Sequence, residues 1–210
     1  MSLQVWLPLN GSLTNKGLSD LTFSADNGTV SSNSGKISTK CYSNSSTQVG
    51  GIISDKPLHI GDNLSMFAWV KLDQFNTDAR LTGIGGMHTI SHINPNDYAC
   101  RTGLGITVRD DGRVSFGFGD GVGNYGYVTH VSNNPITLNA WHHIGFTCKK
   151  VNSTDSVVTI YINGKADGSY TIKNQTNPDD YVHLFSWAKD GAVNEPTIFK
   201  HYLPKGYIND

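Results

Sequence analysis

Carboxylates, histidines, cysteines and glycine-rich turns are the parts of this chain that could do chemistry, and their spacing argues against most of the ways of doing it. Glycosidic hydrolysis commonly uses two carboxyl groups about 5–9.5 Å apart on either side of the scissile bond. The only glutamate, Glu195, stands between Asn194 and Pro196. The adjacent pairs Asp110-Asp111 and Asp179-Asp180 fall in turn-like stretches, where aspartate favours bonds to its own backbone. No G-x-S-x-G elbow is present for a serine nucleophile. Cys41, Cys100 and Cys148 cannot all pair within one chain and show no C-x-x-C spacing, so buried reduced thiols are expected. His142 and His143 are neighbours in a strand-like segment; such neighbours face opposite sides and cannot share one ion without distortion, which leaves them packing roles. The run Gly117-Phe118-Gly119-Asp120-Gly121-Val122-Gly123 has the glycines of a phosphate loop. No helical pattern opens after it, so it offers no helix N-terminus to an anion. No catalytic residue is assigned, and no enzyme activity is expected.

Recognition fits the same residues better. Asp120, Asn124 and Tyr125, with Tyr127 beyond them, place acid, amide and aromatic groups on a glycine-rich connection. Sugars are held by such groups: aromatic faces stack on C–H surfaces while Asp and Asn pair with hydroxyls. A second long polar stretch, Met87 to Tyr98, contributes Asp97 and Tyr98. Loops gathered at one end of a β-sandwich commonly carry recognition. The expected ligand-binding residues are therefore Asp97, Tyr98, Asp120, Asn124 and Tyr125.

Charge and hydropathy narrow the partners. The net charge is −1, and the one basic pair, Lys149-Lys150, reads as a solvated strand end. Without a basic footprint to neutralise phosphates, nucleic-acid binding is not expected. No apolar run approaches the roughly 20 residues needed to cross a bilayer, so membrane insertion is not expected. The opening Met1 to Trp6 has neither a charged nor an apolar signal region, which predicts cytoplasmic synthesis without a signal peptide.

The elements that must position these residues are strands. A single glutamate among 210 residues, with 23 glycines and abundant Asn, Ser and Thr, leaves little from which to build helix surfaces. Ser65 to Leu72 alternates Met66, Ala68 and Val70 against Phe67, Trp69 and Lys71, as a strand with two distinct faces does. Leu104 to Val108, Asp110-Asp111-Gly112, then Val114 to Phe118 reads as a hairpin. Val157 to Ile162, Asn163-Gly164, then Ser169 to Ile172 repeats that pattern. Residues 10–46 read as loops and short edge strands rather than a linker, and no internal repeat or domain boundary appears. Short strands at such intervals predict one all-β domain over residues 1–210, a two-sheet antiparallel sandwich.

Three stretches carry a resemblance. Leu64 to Lys71, Asn139 to Thr147 (N-A-W-H-H-I-G-F-T) and Val158 to Lys165 (V-T-I-Y-I-N-G-K) resemble, in order and spacing, the strands of laminin-G-like jelly rolls in the concanavalin A-like superfamily. The opening Val5 to Gly11, followed by Lys16-Gly17-Leu18-Ser19, resembles a subgroup found in phage and prophage virion proteins of Gram-positive hosts.

The resemblance implies a two-sheet jelly roll and a carbohydrate-binding, lectin-like module on a tail or head fibre of a virion that adheres to its host. The alternatives it leaves are a structural virion protein packing on neighbouring subunits and an unrecognised glycoside hydrolase. Related glucanases place alternating acids on one strand as E-x-D-x-E, and this chain has no such run. Family members sometimes hold Ca²⁺ between loops. Asp97 and Asp120 could supply part of the six to eight oxygens calcium takes, but no spaced D-x-D-x-D run completes the set. In the family the segment from Gly206 onward begins a last strand, so a missing final strand, and membership of an oligomer or a longer polypeptide, are expected.

Overall fold

A computed structural model describes residues 2–26, 29–31, 35–37, 39–44, 51–58, 63–75, 82–88, 102–120, 127–173, 180–184 and 191–199. Within these, only the backbone is described for 26, 29–31, 44, 82–88, 102–104, 118–120, 127–129, 180–184 and 191–199. The strands are β1 (Leu3–Trp6), β2 (Phe23–Asp26), β3 (Thr29–Ser31), β4 (Cys41–Asn44), β5 (Gly51–Leu58), β6 (Leu64–Leu72), β7 (Thr82–His88) and β8 (Thr102–Val108). They continue with β9 (Arg113–Asp120), β10 (Tyr127–Pro135), β11 (His142–Lys150), β12 (Asp155–Ile162), β13 (Lys165–Lys173), β14 (Asp180–Leu184) and β15 (Gly191–Phe199). Among the described residues no helix is long and apolar enough to cross a membrane.

Two antiparallel sheets form. One runs β13-β12-β11-β6-β15-β4-β3, with β1 also on β15; the other runs β10-β9-β8-β7-β14-β5-β2. The alternation read from the sequence sets the faces. Leu64, Met66, Ala68, Val70 and Leu72 on β6, with Ile144, Phe146, Val158 and Ile160, fill the space between the sheets. From the other sheet Ile52, Ile106, Val108, Val114 and Phe116 meet them. The rings of Phe116 and Phe146 cross the gap at 4.7 Å between centroids, tilted as aromatic pairs prefer. Cys41 and Cys148 are buried, as expected; burial raises the Cys41 pKa. Cys100 lies outside the described residues, as do residues 200–210, where the missing last strand was expected.

Local chemistry closes the edges. Asn15 acts as a stand-in strand along β1: its Oδ1 accepts from the Trp6 and Gly17 amides, and its Nδ2 donates to the carbonyls of Gln4 and Ser19. The Lys16, Leu18 and Ser19 amides complete the seal on Trp6, Leu3 and Gln4. At the opposite side of the sandwich the Tyr170 hydroxyl of β13 donates to the Val131 carbonyl of β10, and His130 stacks on the Tyr170 ring. Glu195-Pro196 interrupts β15 as a bulge, two residues against Ala68. Proline is tolerated there because the bulge falls between the stretch paired with β4 (191–193) and the stretch paired with β1 (197–199), where no ladder bond is asked of it.

Candidate functional site

The β8–β9 hairpin organises the sheet that carries the predicted loops. Its turn has Gly112 at φ +79°, and Asp111 holds Arg113 through both its backbone amide and its guanidinium. That turn lies at one end of the sheet, and the strand ends that flank the expected binding stretches lie at the other. There Thr102 pairs with Asp120, His88 with Gly103, Gly119 with Tyr127, Tyr181 with His88 and Asp180 with Leu58. The connections 59–63, 89–101, 121–126 and 174–179 therefore all leave from the same end.

Asp97 and Tyr98 belong to the second of these connections, and Asn124 and Tyr125 to the third; all four lie outside the described residues. The backbone of Asp120 closes β9 opposite Thr102, with the same strand parity as the core residue Phe116. The fold thus delivers the two predicted loops to one end through their flanking strands. Among the described residues no group of three or more His, Cys, Asp or Glu side chains could hold a metal ion.

Sequence reasoning missed the face beside that end. Alternation from the core residues Ile106 and Phe116 puts Gly105 and Gly117 on the side away from the core. Register then aligns two rows across the strands. One is His183–Gly86–Gly105–Gly117–Thr129, the other Tyr181–His88–Gly103–Gly119–Tyr127. Glycine within a strand weakens it and marks a place where a ligand or another backbone comes close. The readable signal was glycine at alternate positions, Gly103 and Gly105 in one strand and Gly117 and Gly119 in the next; glycines 117 to 123 had instead suggested only a loop. Gly105 and Gly117 are buried, as are Thr107 and Ser115 next along these strands, so other atoms of the chain lie over that part of the face. The Ser115 hydroxyl beneath them has no hydrogen-bond partner.

The outer face of the other sheet is built for packing. Gly145 makes room for the Phe67 ring, which stacks on His143 at 5.5 Å and meets Tyr161 at 6.0 Å. Trp69 tilts against His143, and Lys36 Nζ sits 5.2 Å above the Trp69 ring. Burial lowers the His143 pKa. His142 turns elsewhere, its Nε2 against Thr137 and its Nδ1 against Asn163. The two histidines do not converge, as strand geometry required.

Residues 43–203 match a family model of laminin-G-like domains described as the concanavalin A-like lectin/glucanases superfamily. No curated protein matches by sequence. Among solved structures the chain is similar to domain 4 of AbnA, a GH43 extracellular arabinanase of Geobacillus stearothermophilus in complex with arabinotriose. The TM-score is 0.69 at 19% identity, over 100% of this chain and 97% of that one. It is also similar to the botulinum neurotoxin serotype D binding domain (TM-score 0.68, 17% identity, 99% of this chain, 50% of that one). A third likeness is the binding domain of botulinum neurotoxin DC in complex with SialylT (TM-score 0.66, 15% identity, 100% of this chain, 49% of that one). The chain spans about half the length of these toxin domains, and at such identities the likeness concerns the fold. With the family model matched over most of its length and the two antiparallel sheets in place, the chain belongs to the concanavalin A-like lectin/glucanase superfamily.

Proposed function

We propose that this domain is a non-catalytic carbohydrate-recognition module, that its site lies at the end of the β10–β2 sheet from which the connections 89–101 and 121–126 leave, and that it is displayed on a phage particle to bind host-surface glycan. The observation that carries the site is the strand register. It brings to one end the strand ends that flank 89–101 and 121–126, the stretches whose sequence holds Asp97, Tyr98, Asn124 and Tyr125, with Asp120 closing β9 there on the core-side parity. Aromatic, amide and carboxylate groups beside Gly103 and Gly119, two facing positions without side chains, suit a sugar ring, which presents a C–H face and a rim of hydroxyls. One protein of similar fold is in complex with arabinotriose and another with SialylT, and the first supports a saccharide here. The virion role rests on the resemblance of the opening segment. Asp97 and Asp120 are the carboxylates that would take part in a calcium site; with only two of them, backbone carbonyls and water would have to supply most of the oxygens.

A glycan array on the purified protein, run with Ca²⁺ and again with EDTA, tests this reading. Selective binding that Tyr125→Ala abolishes is expected. Loss in EDTA would add calcium to the site. A folded protein that binds no glycan overturns the recognition role and favours a structural subunit that packs on its neighbours in the virion.

A further inference from the structure

We infer that the proton on His142 decides which way the Asn163 carboxamide points, so that mild acid exchanges a backbone hydrogen bond at the start of β11 for one to the imidazolium. Four contacts set this up. Asn163 Oδ1 accepts from the His143 amide at 3.0 Å, and its Nδ2 stands 3.3 Å from Nδ1 of His142. On the other side of the ring, Nε2 meets the Thr137 hydroxyl at 3.1 Å and the Thr137 amide at 3.2 Å. An amide N–H only donates, whereas a hydroxyl both donates and accepts.

A neutral imidazole carries one N–H. With that proton on Nε2, the ring donates to Thr137 Oγ1, and Nδ1 accepts from Asn163 Nδ2. Thr137 is exposed, so water serves its amide. With the proton on Nδ1, or with one on each nitrogen, the Nδ1–H points at the donor Nδ2. Turning the carboxamide over cures that contact and takes the acceptor from the His143 N–H, which then faces Nδ2. The backbone does not move to relieve either clash. Asn163 sits at φ +50° in a tight turn, and its own amide donates to the His143 carbonyl at 2.7 Å. The neutral ring therefore fixes one orientation and the charged ring the other.

Among the described residues no charged group contacts the ring. The connection 136–141 has no ionisable residue. Lys71 on β6 and His143 on β11 have the opposite strand parity from His142 and its partner Val70. Arg109 and Arg113 at the β8–β9 turn engage Asp111, while Asp73, Asp110 and Lys165 are exposed. Burial lowers the His142 pKa against the opposing effect of Thr137, so the exchange falls below the ordinary histidine value of 6.5. It takes place at the end marked by Gly112, whose carbonyl accepts from the Ile136 amide, and so away from the proposed sugar site. Acid thereby loosens the entry to β11 and the β12–β13 turn locally.

Nuclear magnetic resonance on the whole chain tests this. Long-range ring spectra should show His142 as the Nε2–H tautomer at pH 8. Between pH 8 and pH 5 the Asn163 side-chain amide and the His143 backbone amide should both shift with the midpoint of the His142 ring. Protection of the His143 amide against hydrogen exchange should fall about fivefold over the same range, as the loss of one hydrogen bond implies. Asn163→Asp, which offers an acceptor oxygen to each partner, should raise the His142 midpoint and keep the His143 amide protected throughout. An Nδ1–H tautomer at pH 8 would overturn the inference. So would a His143 amide that follows the midpoint of its own ring, in the wild type or in Asn163→Asp.

Discussion

The ring of Phe67 occupies the place a side chain at residue 145 would need. A Cβ built on Gly145 would come within 2.2 Å of Phe67 Cδ1 and 2.3 Å of the Met66 carbonyl oxygen. The second contact is backbone of the paired strand β6, which cannot rotate away. Gly145→Ala should therefore destabilise the domain by about 1–3 kcal/mol, the usual cost of forcing atoms into a packed site. Thermal unfolding would show a fall of roughly 2–4 °C per kcal/mol for a chain of this size. An unchanged melting temperature would mean that the Phe67 stack on His143 is looser than described.

The seal on β1 is equally specific. A Cβ on Gly17 would lie 2.3 Å from the Gln4 carbonyl oxygen, and Asn15 satisfies several backbone groups at once. Asn15→Ala should cost about 1–3 kcal/mol, since partly buried donors and acceptors lose their partners. Hydrogen exchange at Trp6 and Gly17 should quicken. An edge released in this way should also favour self-association, measurable by light scattering.

Two buried hydroxyls, Ser65 and Ser115, are without hydrogen-bond partners. A buried polar group left unsatisfied costs about 1–3 kcal/mol. Ser65→Ala and Ser115→Ala, each nearly conserving volume, should be neutral or raise the unfolding midpoint in urea. A clear loss of stability in either would show that its hydroxyl is satisfied in solution.

Acid should unfold the domain in two stages. Burial holds His130, His142 and His143 below the ordinary histidine value of 6.5, so the unfolded chain takes up their protons first. Stability should be level above about pH 6.5 and fall as pH drops below it. Asp155, hydrogen-bonded by Lys173, Thr154 and Asn152, is lowered from 3.8 to about 2. Its stabilising contribution is present above the unfolded value and is lost as pH falls from there through the folded one. Urea midpoints measured from pH 8 to pH 2 check both stages. His143→Phe should shrink the first and leave the second.

Periodicity was enough to read β6, β8, β9, β11, β12 and β13, but not β7, β14 or β15, and Met87-His88, expected in a loop, ends β7. Met66, Ala68 and Val70 went inward because apolar side chains two apart share one side of a strand, and Asn163-Gly164 made a turn because both residues take positive φ, +50° and +77°. Phe67 and Tyr161 were less legible. They lie on the face away from the core and are nonetheless buried, which no alternation pattern can foretell. What the sequence determined alone was the local part: strand-forming segments, tight turns, two buried thiols and the absence of a glutamate pair. Which loops share an end, and which glycines line up across the sheet, only the tertiary structure decided. Gly105 and Gly117 face each other across a hairpin already legible in the sequence, but Gly86 joins their row only through the register of β7 on β8. A hairpin's register is fixed by its own turn, whereas β7 and β8 are joined by a long connection, so their register follows from which hydrophobic faces must meet the core together, and no single segment carries that.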